Sequence, residues 1–319
     1  MTTTTRPQRF VACRPPRPNG YRPVATLALV IASLLWGTTG TAASFFGAEV
    51  TPIAIGAATM TVGGILLFTV AARVSLAALR DRAALRWVLL GAVGVVVYPL
   101  AFYTAMDLAG VAIGNVLALG SGPVFAAAFE WLVERQKLSR RGAISTVIAI
   151  VGVILLGMFG HGDDGTSGGN VPLGVVLGLV AGCAYALYTY SSTRVIRLGH
   201  SGRAAMGATF GLGSIGLLPV LLVTGAPLLA SPSHIAIASY LAVGPMFIAY
   251  IFFGIGLGSL RSSTVTTVTL LEPVVATLLA VLVVGERLTV PGWFAIGLIL
   301  AAVTALATAQ SVTKTSARP

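Results

Sequence analysis

Leu270-Leu271-Glu272-Pro273-Val274-Val275 places a carboxylate beside a proline inside an apolar run from Thr264 to Val284. About 20 residues of helix cross the hydrocarbon core of a bilayer, so the run is long enough to span one. A carboxylate near its centre costs on the order of 2.5–3.5 kcal/mol on insertion scales. Pro273 removes a backbone donor and tends to kink a helix. A simple anchor needs neither residue. The pair marks a site, and the rest of the chain reads as an arrangement around it.

Composition agrees with a membrane setting. Of the 319 residues, 56% are hydrophobic and 9% are charged, and mean hydropathy is +0.93. Soluble domains carry about 25% charged residues, so this chain cannot coat a globular surface with charge. It reads as an all-α integral membrane protein whose first partner is the lipid bilayer. The net charge of +11 sits in short loops, where it orients spans and meets anionic headgroups. Nucleic acid needs a basic face on a soluble domain, and no such partner is expected. Cys13 lies in a polar tail and Cys183 inside a span, which gives neither a disulfide framework nor zinc spacing. Cys183 is read as a small packing residue.

Residues 1–23 are rich in Thr, Pro and Arg and are expected to form a disordered basic cytoplasmic tail. The first apolar segment is too long for a signal core and is read as an uncleaved span. Further apolar windows predict ten spans, at roughly 24–46, 52–72, 87–106, 113–133, 142–159, 172–195, 204–224, 235–258, 264–284 and 290–309. The longest polar interruption, Gly160 to Asn170, divides the chain near its midpoint. The expected units are a five-helix repeat at 24–159, an external linker at 160–171, a second five-helix repeat at 172–309 and a cytoplasmic tail at 310–319. With the N-terminus inside, every one of the 20 Lys and Arg residues except Arg287 falls in a cytoplasmic segment. Glu49, Asp107, Asp163, Asp164 and Glu286 fall outside. This bias predicts a multi-pass protein of the inner or plasma membrane with both termini cytoplasmic.

The two halves repeat. Ala92-Val93-Gly94 recurs as Ala242-Val243-Gly244, Phe102 as Phe252 and Pro123-Val124 as Pro273-Val274. Leu132-Val133 recurs as Leu282-Val283, Leu138 as Leu288 and Gly142 as Gly292, all at an offset of 150. Five spans per unit is an odd number, so the second copy enters the membrane upside down. The expected fold is ten transmembrane helices as two inverted five-helix repeats. Many secondary transporters have this architecture, with the substrate site near the midplane between repeats.

Pro273-x₁₁-Gly285-Glu286-Arg287-Leu288-Thr289-x₂-Gly292 resembles the end of the EamA-type repeat of the drug/metabolite transporter superfamily. Trp36-Gly37 in the first span resembles a pair often found there. The resemblance covers roughly residues 24–309. It implies a solute carrier, commonly an exporter of amino acids, other metabolites or drugs. The first copy departs from the pattern, reading Arg135-Gln136-Lys137 where the second reads Gly285-Glu286-Arg287. The usual acid is therefore Gln136, with Glu134 two residues earlier. That asymmetry favours reading Glu286 as a structural cap or loop ion pair.

Glu272 is the leading candidate for substrate binding or coupling, because intramembrane acids are functional hypotheses by default. A low-dielectric surround disfavours the charged form of a carboxylate. An acid that binds and releases a proton there can couple transport to a proton gradient or pair with a cationic solute. The competing reading is a permanently protonated acid bonded to Thr269 or a backbone carbonyl. At the equivalent position stands Gly122, so charge chemistry is asymmetric. Pro123 and Pro273 are hinge candidates, each freeing a carbonyl, against static kinks. Trp36, Tyr98, Tyr103, Tyr185, Tyr188 and Tyr250 are polar aromatics away from the interface belts. They are candidates to wall a substrate cavity, against ordinary packing. Asn115 and Ser121 either bind solute or hydrogen-bond between helices.

Gly174, Gly178 and Gly182 form a close-packing face, read as internal to the bundle in preference to a homodimer contact. Glu130 is a weaker gate candidate, near enough to a span end to snorkel. His161, Asp163 and Asp164 sit among glycines in a solvated turn, so no metal or cofactor is expected. No clustered nucleophile, base or metal set appears, and no G-x-x-x-x-G-K-[ST] loop exists for ATP-driven transport. The expectation is a secondary transporter of small organic solutes working by alternating access, not an enzyme. The alternatives are an uncoupled facilitator or exchanger, and a receptor-like membrane protein.

Overall fold

The computed structural model describes residues 21–135, 140–159, 170–259, 268–269 and 271–316. The basic tail before residue 21, Gln136, the 160–169 loop with His161, Asp163 and Asp164, and Leu270 lie outside that set. So do the side chains of Pro123, Glu130 and Glu134. The described residues are helical, without a β-strand among them. In chain order they form α1 (Tyr21–Gly37), α2 (Thr39–Ala43), α3 (Pro52–Val70), α4 (Ala72–Arg80), α5 (Arg82–Ala109), α6 (Val111–Glu134) and α7 (Arg140–Phe159). There follow α8 (Val171–Arg197), α9 (Gly202–Thr224), α10 (Pro232–Leu241), α11 (Ala249–Ser259), α12 (Leu271–Leu279) and α13 (Val290–Ser316).

Seven described helical segments are long and apolar enough to cross a bilayer: 23–43, 52–70, 82–109, 111–133, 171–197, 202–224 and 232–256. Leu271–Val284 and Val290–Ala302 are shorter apolar helices. Large apolar side chains point outward, Leu222, Val223, Leu282 and Val290 among them, and buried positions are mostly Ala and other small residues. That is the packing of a membrane bundle, where close backbone approach replaces hydrophobic exclusion.

Local signals explain the boundaries. Thr51, Asn170, Ser201 and Ser231 each accept the amide three residues on, as N-cap side chains do. Gly285 ends the π-helical turn Ala280–Val284 in the left-handed region, φ 83°. The equivalent residue 150 positions earlier, Arg135, ends α6 at φ 54°. Arg82 and Pro232 likewise begin helical runs at that offset.

Two predicted spans are less regular than the apolar windows suggest. The first breaks at Thr38, whose hydroxyl bonds the Leu35 carbonyl at 2.7 Å and the Tyr240 hydroxyl at 2.6 Å. The eighth runs through a π-helical turn, Ala242–Ile248, around Pro245. Proline supplies no amide, and the ladder slips by one residue there. The segment between the second and third spans, expected to be a loop, contains the short helix α4. The last helix continues to Ser316, past the expected edge at 309.

The most extensive pairings are α5 with α8, α3 with α9, α7 with α13, α6 with α8, α1 with α11, α5 with α9 and α3 with α5, and α1 and α6 also pack on α12. Exchanging each helix for its equivalent 150 residues away maps most of these pairs onto one another, whereas α3 with α5 has no counterpart of similar extent among the described residues. The pair α5–α8 becomes α11–α1, α6–α8 becomes α12–α1, and α3–α9, α7–α13 and α6–α12 map onto themselves.

Asp81 joins two turns at one end of the bundle. It caps α5 by accepting the Ala83 amide at 2.9 Å, and its other oxygen lies 3.0 Å from His200 Nε2. The bond to His200, then the Ala83 amide, holds the Asp81 carboxyl below its usual value of 3.8. A depressed acid stabilises the fold above its unfolded value and loses that contribution as pH falls through the folded one. Asp81→Asn is expected to lower the thermal midpoint in detergent at neutral pH. The gap to wild type should close as the pH drops below about 4.

Candidate functional site

Seven sequence candidates meet at one chamber between the halves. Trp36 (α1), Tyr98 and Tyr103 (α5), Tyr185 and Tyr188 (α8), Tyr250 (α11) and Glu272 (α12) all line it. Its atom-free space, open mouth included, is about 750 Å³. Glu272 lies in α12 and is partly buried. Gly37 lets α1 press against that turn: a Cβ there would lie 2.7 Å from Val275 and 3.2 Å from the Glu272 carbonyl.

The rings hold one another in fixed geometry. Trp36 meets Tyr250 edge-on, centroids 5.2 Å apart. Tyr98 stacks on Phe102 at 5.2 Å, and Tyr185 meets Tyr188 edge-on at 5.2 Å. Trp36 Nε1 donates to the Pro245 carbonyl at 2.8 Å, which ties the first helix to the π-helical turn. The hydroxyls of Tyr188 and Tyr250 lie 2.9 Å apart. Glu272 interacts electrostatically with Tyr98, Tyr185 and Tyr250. At the position equivalent to Glu272, a Cβ on Gly122 would lie 2.9 Å from the Tyr185 ring. The first half thus has no room for a second acid.

Other candidates lie elsewhere. Asn115 and Ser121 are buried in α6 and do not line the chamber. Among the described residues neither side chain finds a hydrogen-bond partner. Pro273 is buried next to Glu272 in α12. Its carbonyl accepts the Thr277 hydroxyl at 2.8 Å. Pro123 falls within α6. The glycine face of α8 packs inside the bundle: Cβ atoms at Gly174, Gly178 and Gly182 would meet Ala109, Leu117 and the Ala118 carbonyl at 2.7–2.9 Å.

Sequence reasoning passed over Thr39, Thr59, Met60, Pro99, Phe102, Leu119, Thr189, Met206, Pro245, Met246 and Phe253, which complete the wall. Pro99 and Pro245 carried the signal already used for Pro273, a proline inside an apolar run. The apolar residues carried none, since a cavity-facing Met or Phe looks like a lipid-facing one.

Glu286 is a cap, and its partner is in the other half of the chain. Its carboxylate accepts the amides of Val111 and of Ala112, the latter at 3.0 Å. These begin α6, which its own flanking residue Gly110 leaves without a side-chain cap. An anion on two free amides at a helix N-terminus is favourable by hydrogen bonding and by the helix dipole. Glu286→Ala is expected to cost about 2 kcal/mol, read as a lower thermal midpoint in detergent.

The model of a family described as the EamA-like transporter family matches residues 24–158 and 172–308. An "Uncharacterized transporter YwfM" of Bacillus subtilis is 30% identical over 297 residues, covering 92% of this chain and 97% of that one. An "Uncharacterized transporter" of Clostridium kluyveri is 28% identical over 172 residues, covering 52% of this chain and 54% of its own. A solved structure described as "Crystal structure of protein" superposes with a TM-score of 0.60 at 22% identity. It covers 93% of this chain and 100% of that one, a likeness of fold.

Proposed function

The chain belongs to the EamA-like transporter family, and from that membership we propose that it is a secondary transporter moving small organic solutes by alternating access. It is a multi-pass membrane protein. In the proposed arrangement ten spans form two inverted five-helix repeats, with both termini cytoplasmic and the chain in the inner or plasma membrane. Most of the extensive pairings survive exchange of the halves, which supports a two-fold relation between the repeats, and five spans per repeat make that relation an inversion.

One observation carries the mechanism: the partly buried carboxylate of Glu272 opens into an aromatic chamber formed by helices of both halves. Rocking of one half against the other exposes such a chamber to each side in turn. A solute and a proton compete for Glu272, so solute entering from the cytoplasm displaces a proton that entered from outside. This makes the protein an exporter of small organic metabolites or drug-like compounds. Pro123 and Pro273 are the proposed hinges, at equivalent positions in the two halves. The protein works as a single bundle in this account, since its glycine stripe is used internally.

The test is counter-transport in proteoliposomes with a pH-sensitive dye inside. An outward solute gradient is expected to drive proton movement in the opposite direction. Solute movement with no proton signal would replace this reading by an uncoupled facilitator.

A further inference from the structure

Accepting the transporter reading, we propose that the chamber selects organic monocations with an apolar or aromatic body, and discriminates against zwitterions and anions. Among the described residues that line the chamber, Glu272 is the one formally charged side chain. No Arg, Lys or His among them faces the cavity. A bound ammonium therefore finds a carboxylate, whereas a bound carboxylate finds no cation among the described lining residues.

The hydrogen-bond donors point the same way. Trp36 Nε1 is committed to the Pro245 carbonyl at 2.8 Å, and the Thr59 hydroxyl to the Ile55 carbonyl at 2.7 Å. One hydroxyl of the Tyr188–Tyr250 pair is engaged with the other. An anionic group is left with neutral hydroxyls such as those of Tyr98 and Tyr185, which carry no charge to pair it. The faces of aromatic rings, by contrast, are negative and attract cations, tryptophan most strongly. Trp36 and Tyr250, 5.2 Å apart, and Tyr98 and Tyr185, 5.9 Å apart, supply such faces in the same chamber as Glu272. Burying an ion is costly unless it is paired. Here a cation is paired by the carboxylate and cushioned by rings, and the rest of the solute meets an apolar wall.

A series with one body and three charges separates these terms. Phenethylamine, phenylalanine and 3-phenylpropionate share a phenyl ring and short chain, and at neutral pH are cationic, zwitterionic and anionic. Binding to purified protein in lipid nanodiscs is measured by calorimetry. Phenethylamine is expected to bind about tenfold or more tightly than phenylalanine, and 3-phenylpropionate not at all. Glu272→Gln should lose most of the preference for the amine while still running as a monodisperse species. Equal or tighter binding of phenylalanine or 3-phenylpropionate to the wild type overturns the proposal. The wild-type series decides even if the variant fails to fold. If none of the three binds yet cells expressing the protein export a solute, the cation class is wrong and the transporter reading survives. If the amine binds selectively but no solute moves in cells, the site chemistry holds and the transporter reading falls.

Discussion

Glu272→Gln is expected to abolish coupled transport while leaving the protein folded in the membrane. The substitution keeps the shape of the side chain and removes both the charge and the exchangeable proton. A hydrogen bond to a charged group contributes about 1.5–3 kcal/mol, so solute affinity should fall by roughly ten- to hundredfold. Loss of the proton site goes further, because an amide that never releases a proton cannot exchange one for solute. Initial rates in proteoliposomes should drop to the level of protein-free vesicles under a proton gradient. The chamber walls should survive: Trp36 stays anchored to Pro245 and Tyr188 to Tyr250. Rates near wild type would mean that Glu272 is a permanently protonated structural acid.

Gly182→Leu is expected to have the second large effect, on folding. A Cβ at Gly182 would lie 2.7 Å from the Ala118 carbonyl and collide with the Ser121 hydroxyl. The carbonyl is helix backbone and cannot rotate away, so α6 and α8 must separate. Overpacking of this kind costs about 1–3 kcal/mol, and a leucine adds further carbons to the same gap. The strain reaches the chamber because α8 also carries Tyr185 and Tyr188. Fluorescence-detected size exclusion should show little monodisperse protein compared with wild type. A normal profile, or one changed only from dimer to monomer, would place the glycine stripe on the outside.

Much of this was legible in the chain, and for physical reasons. Apolar windows predict spans because a bilayer demands long apolar helices, and described helices cover most of the predicted windows. Glu272 and the polar aromatics stand out because a polar atom in an apolar run needs a partner or a cavity. Seven of the nine substrate or coupling candidates line one chamber. Asn115 and Ser121 carry the same signal but lie inside helix packing. Residues of α6 are apolar on every side, so periodicity cannot say which face is turned to the cavity. The role of Glu286 as a cap was legible, but not its partner, since the amides of Val111 and Ala112 are some 175 positions away. The π-helical turn at Pro245 was hidden because an apolar window does not register the hydrogen-bond ladder.

The most direct test compares small molecules in the medium of cells expressing wild type, Glu272→Ala or no protein, at matched membrane expression. The account predicts that one class of solutes accumulates outside only with wild type, and that the Glu272→Ala profile matches the empty control. A solute moved equally by wild type and Glu272→Ala would contradict the role given to the carboxylate. A wild-type profile identical to the empty control across growth conditions would contradict transport itself.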